Sequence, residues 1–228
     1  MYLLSKNDEA YGSDKKARHI LLIGASVGNR WHCEELQSRT NTKEYTFEYV
    51  GVYKFDKSKA LKEILDRSVN RPDALIIKEC AAYFPGDLDL YESLMKEWCE
   101  QCVEAKVVPI PATVVPVTRN HSMITGIKII IKRILGRIEK IYSLSRIDGI
   151  LSYNDWVKDY AQSKGFTILD LESALHSSPD NRYLKSELTS GDGLHLTSKA
   201  YELLDKIVLP SLKKVNWDMF TDKSHYLK

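Results

Sequence analysis

"HILLIGASVGN", residues 19–29, joins a short apolar run to a cluster of small residues around one serine, Ser26. An unbroken apolar run of this length, closed by a glycine, is the pattern of a parallel strand buried on both faces. The small residues beyond it let the backbone turn sharply, so Ser26 is either a turn former or a displayed nucleophile. Gly24 to Gly28 also matches G-x-S-x-G, the spacing of a strand-to-helix elbow that exposes a serine hydroxyl.

Outward from this stretch, strands and helices alternate. "RWHCEELQSR" reads as a helix, "YTFEYVGVY" (45–53) as a second strand and "KSKALKEILDR" as a helix. "RPDALIIKE" (71–79) opens with a Pro-Asp turn and runs into a third buried strand. "LDLYESLMKEWCEQCVEA" (88–105) sets Leu90, Leu94, Trp98 and Cys102 four apart, which is helical. "KVVPIPATVVPV" (106–117) is a fourth strand entering a proline-rich loop, and after a long helical stretch "GFTILDL" (165–171) is a fifth. The last helix begins near Ser198, with Ala200, Leu203, Leu204, Ile207 and Val208 on one face. This alternation predicts right-handed crossovers and a five-stranded parallel sheet with helices on both sides. No repeat or linker divides the chain. One domain is expected over 18–213, between a polar N-terminal extension (1–17) and a C-terminal tail (214–228).

Composition narrows the function. The chain has 228 residues, 43% hydrophobic and 28% charged, and a net charge of +2, too small to single out nucleic acid as a partner. No apolar stretch approaches the roughly 20 residues that span a bilayer, and the start lacks a secretory pattern, so a cytoplasmic protein is expected. Cys99 and Cys102 form a lone C-x-x-C inside a helical pattern, with no second pair to complete a zinc site; with Cys33 and Cys80 they read as reduced, packed thiols. No metal or organic cofactor is implied. Seven lysines and arginines lie between 119 and 146 among isoleucines, a solvated helix face or else a lid or a surface that contacts an anionic partner.

Sites in open parallel sheets lie beyond the carboxyl ends of the strands. Ser26 follows the first strand, Gly51 comes late in the second, Glu79 ends the third, and Asp192 and His195 follow the fifth. A serine hydroxyl needs a base to take its proton, histidine suits that task near neutral pH, and a carboxylate fixes the imidazole tautomer. "SGDGLHLTSKAYELL" (190–204) supplies the last two: Asp192 and His195 are three apart, Gly193 permits a tight bend, and Thr197 or Ser198 can cap the following helix. The middle position of "GASVGN" holds Ser26 where a dinucleotide loop would need glycine, which disfavours that reading.

These blocks resemble the SGNH (GDSL-type) hydrolase superfamily, esterases and lipases on a flavodoxin-like three-layer α/β/α fold. The likeness spans roughly residues 18 to 213. "IGASVG" is similar to the first block, with Ser26 as nucleophile, and "DGLHLTSKAYELL" to the last, with Asp192 as acid and His195 as base. "YVGVYKFD" is similar to the second block, whose glycine, here Gly51, gives an N–H to the oxyanion hole. The third block departs from the pattern: "LIIKECAAYFPGD" has no asparagine, leaving Glu79 or a backbone N–H near Ala81 as the replacement donor. The resemblance implies a serine esterase that cleaves a small acyl ester, for example O-acetyl, of an alcohol or sugar. An O-acyltransferase with the same triad and a catalytically impaired binding module are the alternatives.

Overall fold

The computed structural model describes residues 16–121, 123–124, 127–128 and 145–220. The start of the N-terminal extension, most of the basic 119–146 segment and the end of the tail lie outside the described residues.

β1 (Arg18–Gly24) is central. It pairs in parallel with β2 (Tyr45–Gly51) on one side and β3 (Ala74–Ile77) on the other, and β3 pairs with β4 (Val108–Pro111), giving the order β2-β1-β3-β4. Side chains alternate across the sheet, so the apolar run of β1 serves two cores at once. Ile20 and Leu22 pack with α1 (Ser26–Trp31), α2 (Leu36–Thr40) and the C-terminal helices, while Leu21 and Ile23 pack with α3 (Ser58–Leu65), α4 (Leu88–Glu104) and α5 (Arg146–Lys164). The C-terminal helices are the short α6 (Leu171–Leu175) and the long α7 (Ser198–Leu212). The result is three layers, helix on sheet on helix.

The parallel sheet has four strands where five were expected. The 165–171 segment does lie beside β4, but it forms only one bridge, Ala112 to Leu169, with Leu169 N–H donating to Pro111 O and Thr113 N–H to Leu169 O. Proline explains the shortfall. Val108 and Ala112 donate toward β3, so the intervening odd positions face the outer edge. Those positions are Pro109 and Pro111, which have no N–H to offer a fifth strand.

Other elements differ in detail. The helix expected over "RWHCEELQSR" is broken at His32, which takes the left-handed conformation (φ 48°) and is followed by a tight turn, Cys33–Glu35. Along α4 the buried stripe is Met95, Trp98, Cys99 and Cys102, with Leu90 half exposed. A small antiparallel hairpin, β5 (His176–Ser178) and β6 (Asn181–Leu184), follows α6. The core also runs past residue 213, because Val215 and Met219 are buried against α7 and its neighbours. All four cysteines are free and buried, and burial pushes the thiols of Cys33 and Cys102 up to about 12. Among the described residues, no helix is long and apolar enough to cross a membrane.

Candidate active site

Ser26 is the first residue of α1, immediately beyond the carboxyl end of β1. Asn29 N–H closes the first turn on Ala25 O at 3.0 Å, and Ser26 N–H, at the first helical position, has no intrahelical acceptor. Tyr49 of β2 fastens the elbow from below: its hydroxyl donates to Ala25 O (2.9 Å) and lies 3.2 Å from Gly24 O. That ring explains the second glycine of the motif. A Cβ on Gly28 would lie 2.7 Å from Tyr49 Cε2 and 3.0 Å from Leu22 Cδ2. Ser26 is left partly exposed.

Asp192 and His195 meet directly. His195 Nδ1 is 2.5 Å from Asp192 Oδ2, while Asp192 Oδ1 accepts the backbone N–H groups of Leu194 (2.9 Å) and His195 (2.8 Å). Burial pushes the Asp192 carboxyl up, but the hydrogen bonds from His195 and Leu194 outweigh it and hold the group at about 2. An ionised carboxylate only accepts, so Nδ1 carries the hydrogen and Nε2 of a neutral imidazole keeps its lone pair. The loop is tied at its base by Ser190 N–H to His195 O (2.9 Å) and Thr197 N–H to Leu188 O (3.0 Å). Leu194 packs into the core on one face of the sheet and Leu196 into the core on the other. His195 therefore sits where the chain crosses the rim of the sheet. Thr197 caps α7 by accepting Ala200 N–H.

The helices carrying Ser26 and following His195 are fastened together. Trp31 Nε1 of α1 donates to Asp205 Oδ1 of α7 at 2.7 Å, and Arg39 of α2 reaches the same carboxylate at 2.8 and 3.1 Å. Val27 and Leu196, next to Ser26 and His195 in the chain, belong to one core cluster. Among the described residues the Ser26 hydroxyl takes no hydrogen-bond partner. The structure thus joins Asp192 to His195 and anchors the Ser26 helix to the helix that follows them.

The two expected oxyanion residues stand differently. Gly51 pairs with Gly24, but the N–H reaching across to Gly24 O is that of Val52, at 2.7 Å. Donors alternate along a strand, so Gly51 turns its own N–H away from β1 and does not spend it on the ladder between the two strands. Glu79 is wholly buried, and Lys57 Nζ lies 2.6 Å from each of its oxygens. Its carboxylate faces the protein interior, against Lys57. Burial pushes its carboxyl up to about 7 against the pull of Lys57. Lys57 also donates to Phe55 O (3.1 Å) and lies over the rings of Phe55, Tyr83 and Trp98 at 5.4 to 5.8 Å. The pair stitches the loop after β2 to the segment after β3. Nothing in "KFDKSK" marks Lys57 as the buried lysine among three, because its partner lies 22 residues away.

Beyond Glu79, a short turn over Ala81–Tyr83 bonds Tyr83 N–H to Cys80 O and Phe84 N–H to Ala81 O. The N–H groups of Ala81 and Ala82 take no acceptor inside this turn, and Ala82 is exposed. Among the described residues, no group of three or more His, Cys, Asp or Glu side chains is placed to hold a metal.

No family model matches the sequence, and neither does any curated protein. Solved structures do match. A GDSL-like lipase from Bacteroides thetaiotaomicron superposes with a TM-score of 0.61 at 15% identity, covering 86% of this chain and 88% of that one. The acetylxylan esterase Axe2 from Geobacillus stearothermophilus gives 0.58 at 13% identity, covering 88% and 95%. The esterase EstA from Pseudoalteromonas sp. gives 0.55 at 13%, covering 86% and 97%. With a helix-flanked parallel sheet and these neighbours over most of its length, the chain has the fold of the SGNH (GDSL-type) hydrolases.

Proposed function

We propose that the protein is a serine esterase working by acyl transfer, with Ser26 as nucleophile, His195 as general base and Asp192 as the carboxylate that orients it. The observation carrying this reading is the Asp192–His195 pair, 2.5 Å apart, which takes up Nδ1 of the imidazole and leaves Nε2 as the base nitrogen. His195 Nε2 takes the Ser26 proton as Oγ attacks the ester carbonyl, then returns it to the departing alcohol. Water, deprotonated by the same nitrogen, cleaves the acyl-enzyme. Asp192 stays ionised throughout and stabilises the imidazolium. Ser26 N–H is one donor for the oxyanion, and the N–H of Ala82 or Ala81 takes the place of the absent asparagine.

The acetylxylan esterase among the structural neighbours supports a small acyl ester of a sugar or alcohol as substrate. The test is hydrolysis of a chromogenic acetyl ester. Wild type should turn over and Ser26→Ala should fall at least about 1,000-fold; equal rates refute the assignment.

One observation favours a second reading. With no asparagine after β3, one donor of the resembling family is missing, worth about 100- to 1,000-fold in rate. A binding module that has lost turnover would leave Ser26 unlabelled by a fluorophosphonate, whereas an esterase is labelled there.

A further inference from the structure

A chain of hydrogen bonds runs from the loop after β3 to the Asp192 loop through two side chains outside the triad. Arg146, at the start of α5, donates from Nε to Phe84 O at 3.1 Å. Its Nη1 lies 2.9 Å from His121 Nε2, and His121 Nδ1 lies 2.8 Å from the backbone carbonyl of Asp192. A guanidinium only donates and a carbonyl only accepts, so the ring has one consistent state: Nδ1 carries the hydrogen and Nε2 accepts. The two segments are also pressed together. Thr118 N–H donates to Gly193 O at 3.1 Å, and His121 N–H donates to Thr118 Oγ1. Gly193, at φ 72°, has no room for a side chain, since a Cβ would lie 2.4 Å from Thr118 Oγ1 and 2.6 Å from His121 Cβ. On the far side, Pro85 packs against Gly149 of α5, where a Cβ would meet it at 2.7 Å. Segments distant in sequence are thus linked to the backbone of Asp192, His121 directly and Arg146 and Phe84 through it.

We propose that His121 and Arg146 are positioning residues that hold the Asp192 loop, and through it the His195 imidazole, in register with the rim of the sheet. Asp192 is about half exposed and sits in a loop rich in glycine, so its own contacts with Leu194 and His195 fix the turn internally but do not fix where the turn sits. The carbonyl bond from His121 adds an outside anchor at Asp192 itself, beside the Thr118 bond to Gly193 and the core packing of Leu194 and Leu196. This inference rests on the esterase reading for its effect on turnover, while the anchoring itself is measurable without turnover.

The experiment measures acetyl ester hydrolysis and amide hydrogen exchange of residues 191–195 in wild type and in the His121→Ala, His121→Asn, His121→Gln and Arg146→Met variants. His121→Ala and Arg146→Met should lower kcat about 10-fold with KM within about 2-fold, and should speed exchange of the Leu194 and His195 amides by a similar factor. His121→Asn keeps an N–H near the Nδ1 position and should recover most of both losses. His121→Gln keeps only a group near Nε2 and should not. Unchanged exchange in His121→Ala and Arg146→Met overturns the proposal, and so do equal defects in the Asn and Gln variants, which would mean that packing alone matters. If wild type shows no hydrolysis, the esterase reading fails and the exchange pattern decides the anchoring by itself.

Discussion

The carboxylate of Asp192 grips His195 twice, through the imidazole Nδ1 at 2.5 Å and through the backbone N–H of the same residue at 2.8 Å. One side chain therefore sets both the turn and the tautomer. Asp192→Asn preserves the shape but can present an N–H to Nδ1, which favours the tautomer with its hydrogen on Nε2. Under the esterase reading, kcat should fall by about 10,000-fold while the melting temperature changes by only a few degrees. Steady-state kinetics with a thermal melt checks both; retained turnover would remove Asp192 from the relay.

The same carboxyl gives a stability signature on the acid side. Its pKa is about 2 in the folded protein against an ordinary 3.8, so the unfolded chain binds the proton first as pH falls. The contribution is fully present above about pH 4 and disappears as pH drops toward 2. Denaturant melts of Asp192→Asn should show a shallower loss of stability between these values than wild type.

Gly28 tests the elbow itself. Gly28→Ala drives a methyl into Tyr49 and Leu22 at 2.7 and 3.0 Å, so either the ring or the first turn of α1 must move. A loss of about 1–3 kcal/mol is expected, the range for overpacking a close contact. Ester hydrolysis should suffer more than stability does, because the shifted turn carries Ser26. Urea titration and kinetics on the one variant separate the two effects.

The buried Lys57–Glu79 pair predicts an asymmetry. Lys57→Met leaves a carboxylate without its partner and should cost about 3–5 kcal/mol, whereas Lys57→Met combined with Glu79→Leu should be much milder. The folded-state pKa of Glu79, about 7 against an ordinary 4.5, also sets a sign. Between these values the folded protein holds a proton that the unfolded chain releases, so this group makes stability fall as pH rises from about 4.5 to 7. Glu79→Gln should flatten that slope in melts across the window.

Asn154 of α5 is a structural counterpart. Its amide pairs with both backbone groups of Val114, accepting N–H at 2.7 Å and donating to the carbonyl at 2.9 Å, while also donating to Glu172 at 3.1 Å. All of this is buried. Asn154→Ala strands a backbone donor and acceptor and should cost about 2–4 kcal/mol, read by denaturant unfolding.

What the amino-acid sequence determined by itself is what short-range pattern can carry. The apolar run before Gly24 specifies a strand buried on two faces, because only side chains alternating into two cores make every position apolar. Asp192, Gly193 and His195 lie within one turn of each other, so their bond was legible from spacing. Tertiary structure decided the rest, because it depends on neighbours far along the chain. Pro109 and Pro111 look like strand residues until a fifth segment lies beside the edge that lacks N–H groups. Glu79 read as a candidate for the missing oxyanion donor, and only the fold put Lys57 against both of its oxygens. His121 and Arg146 are 71 and 46 residues from Asp192, and no local pattern announces that a guanidinium, an imidazole and a carbonyl will fall into line.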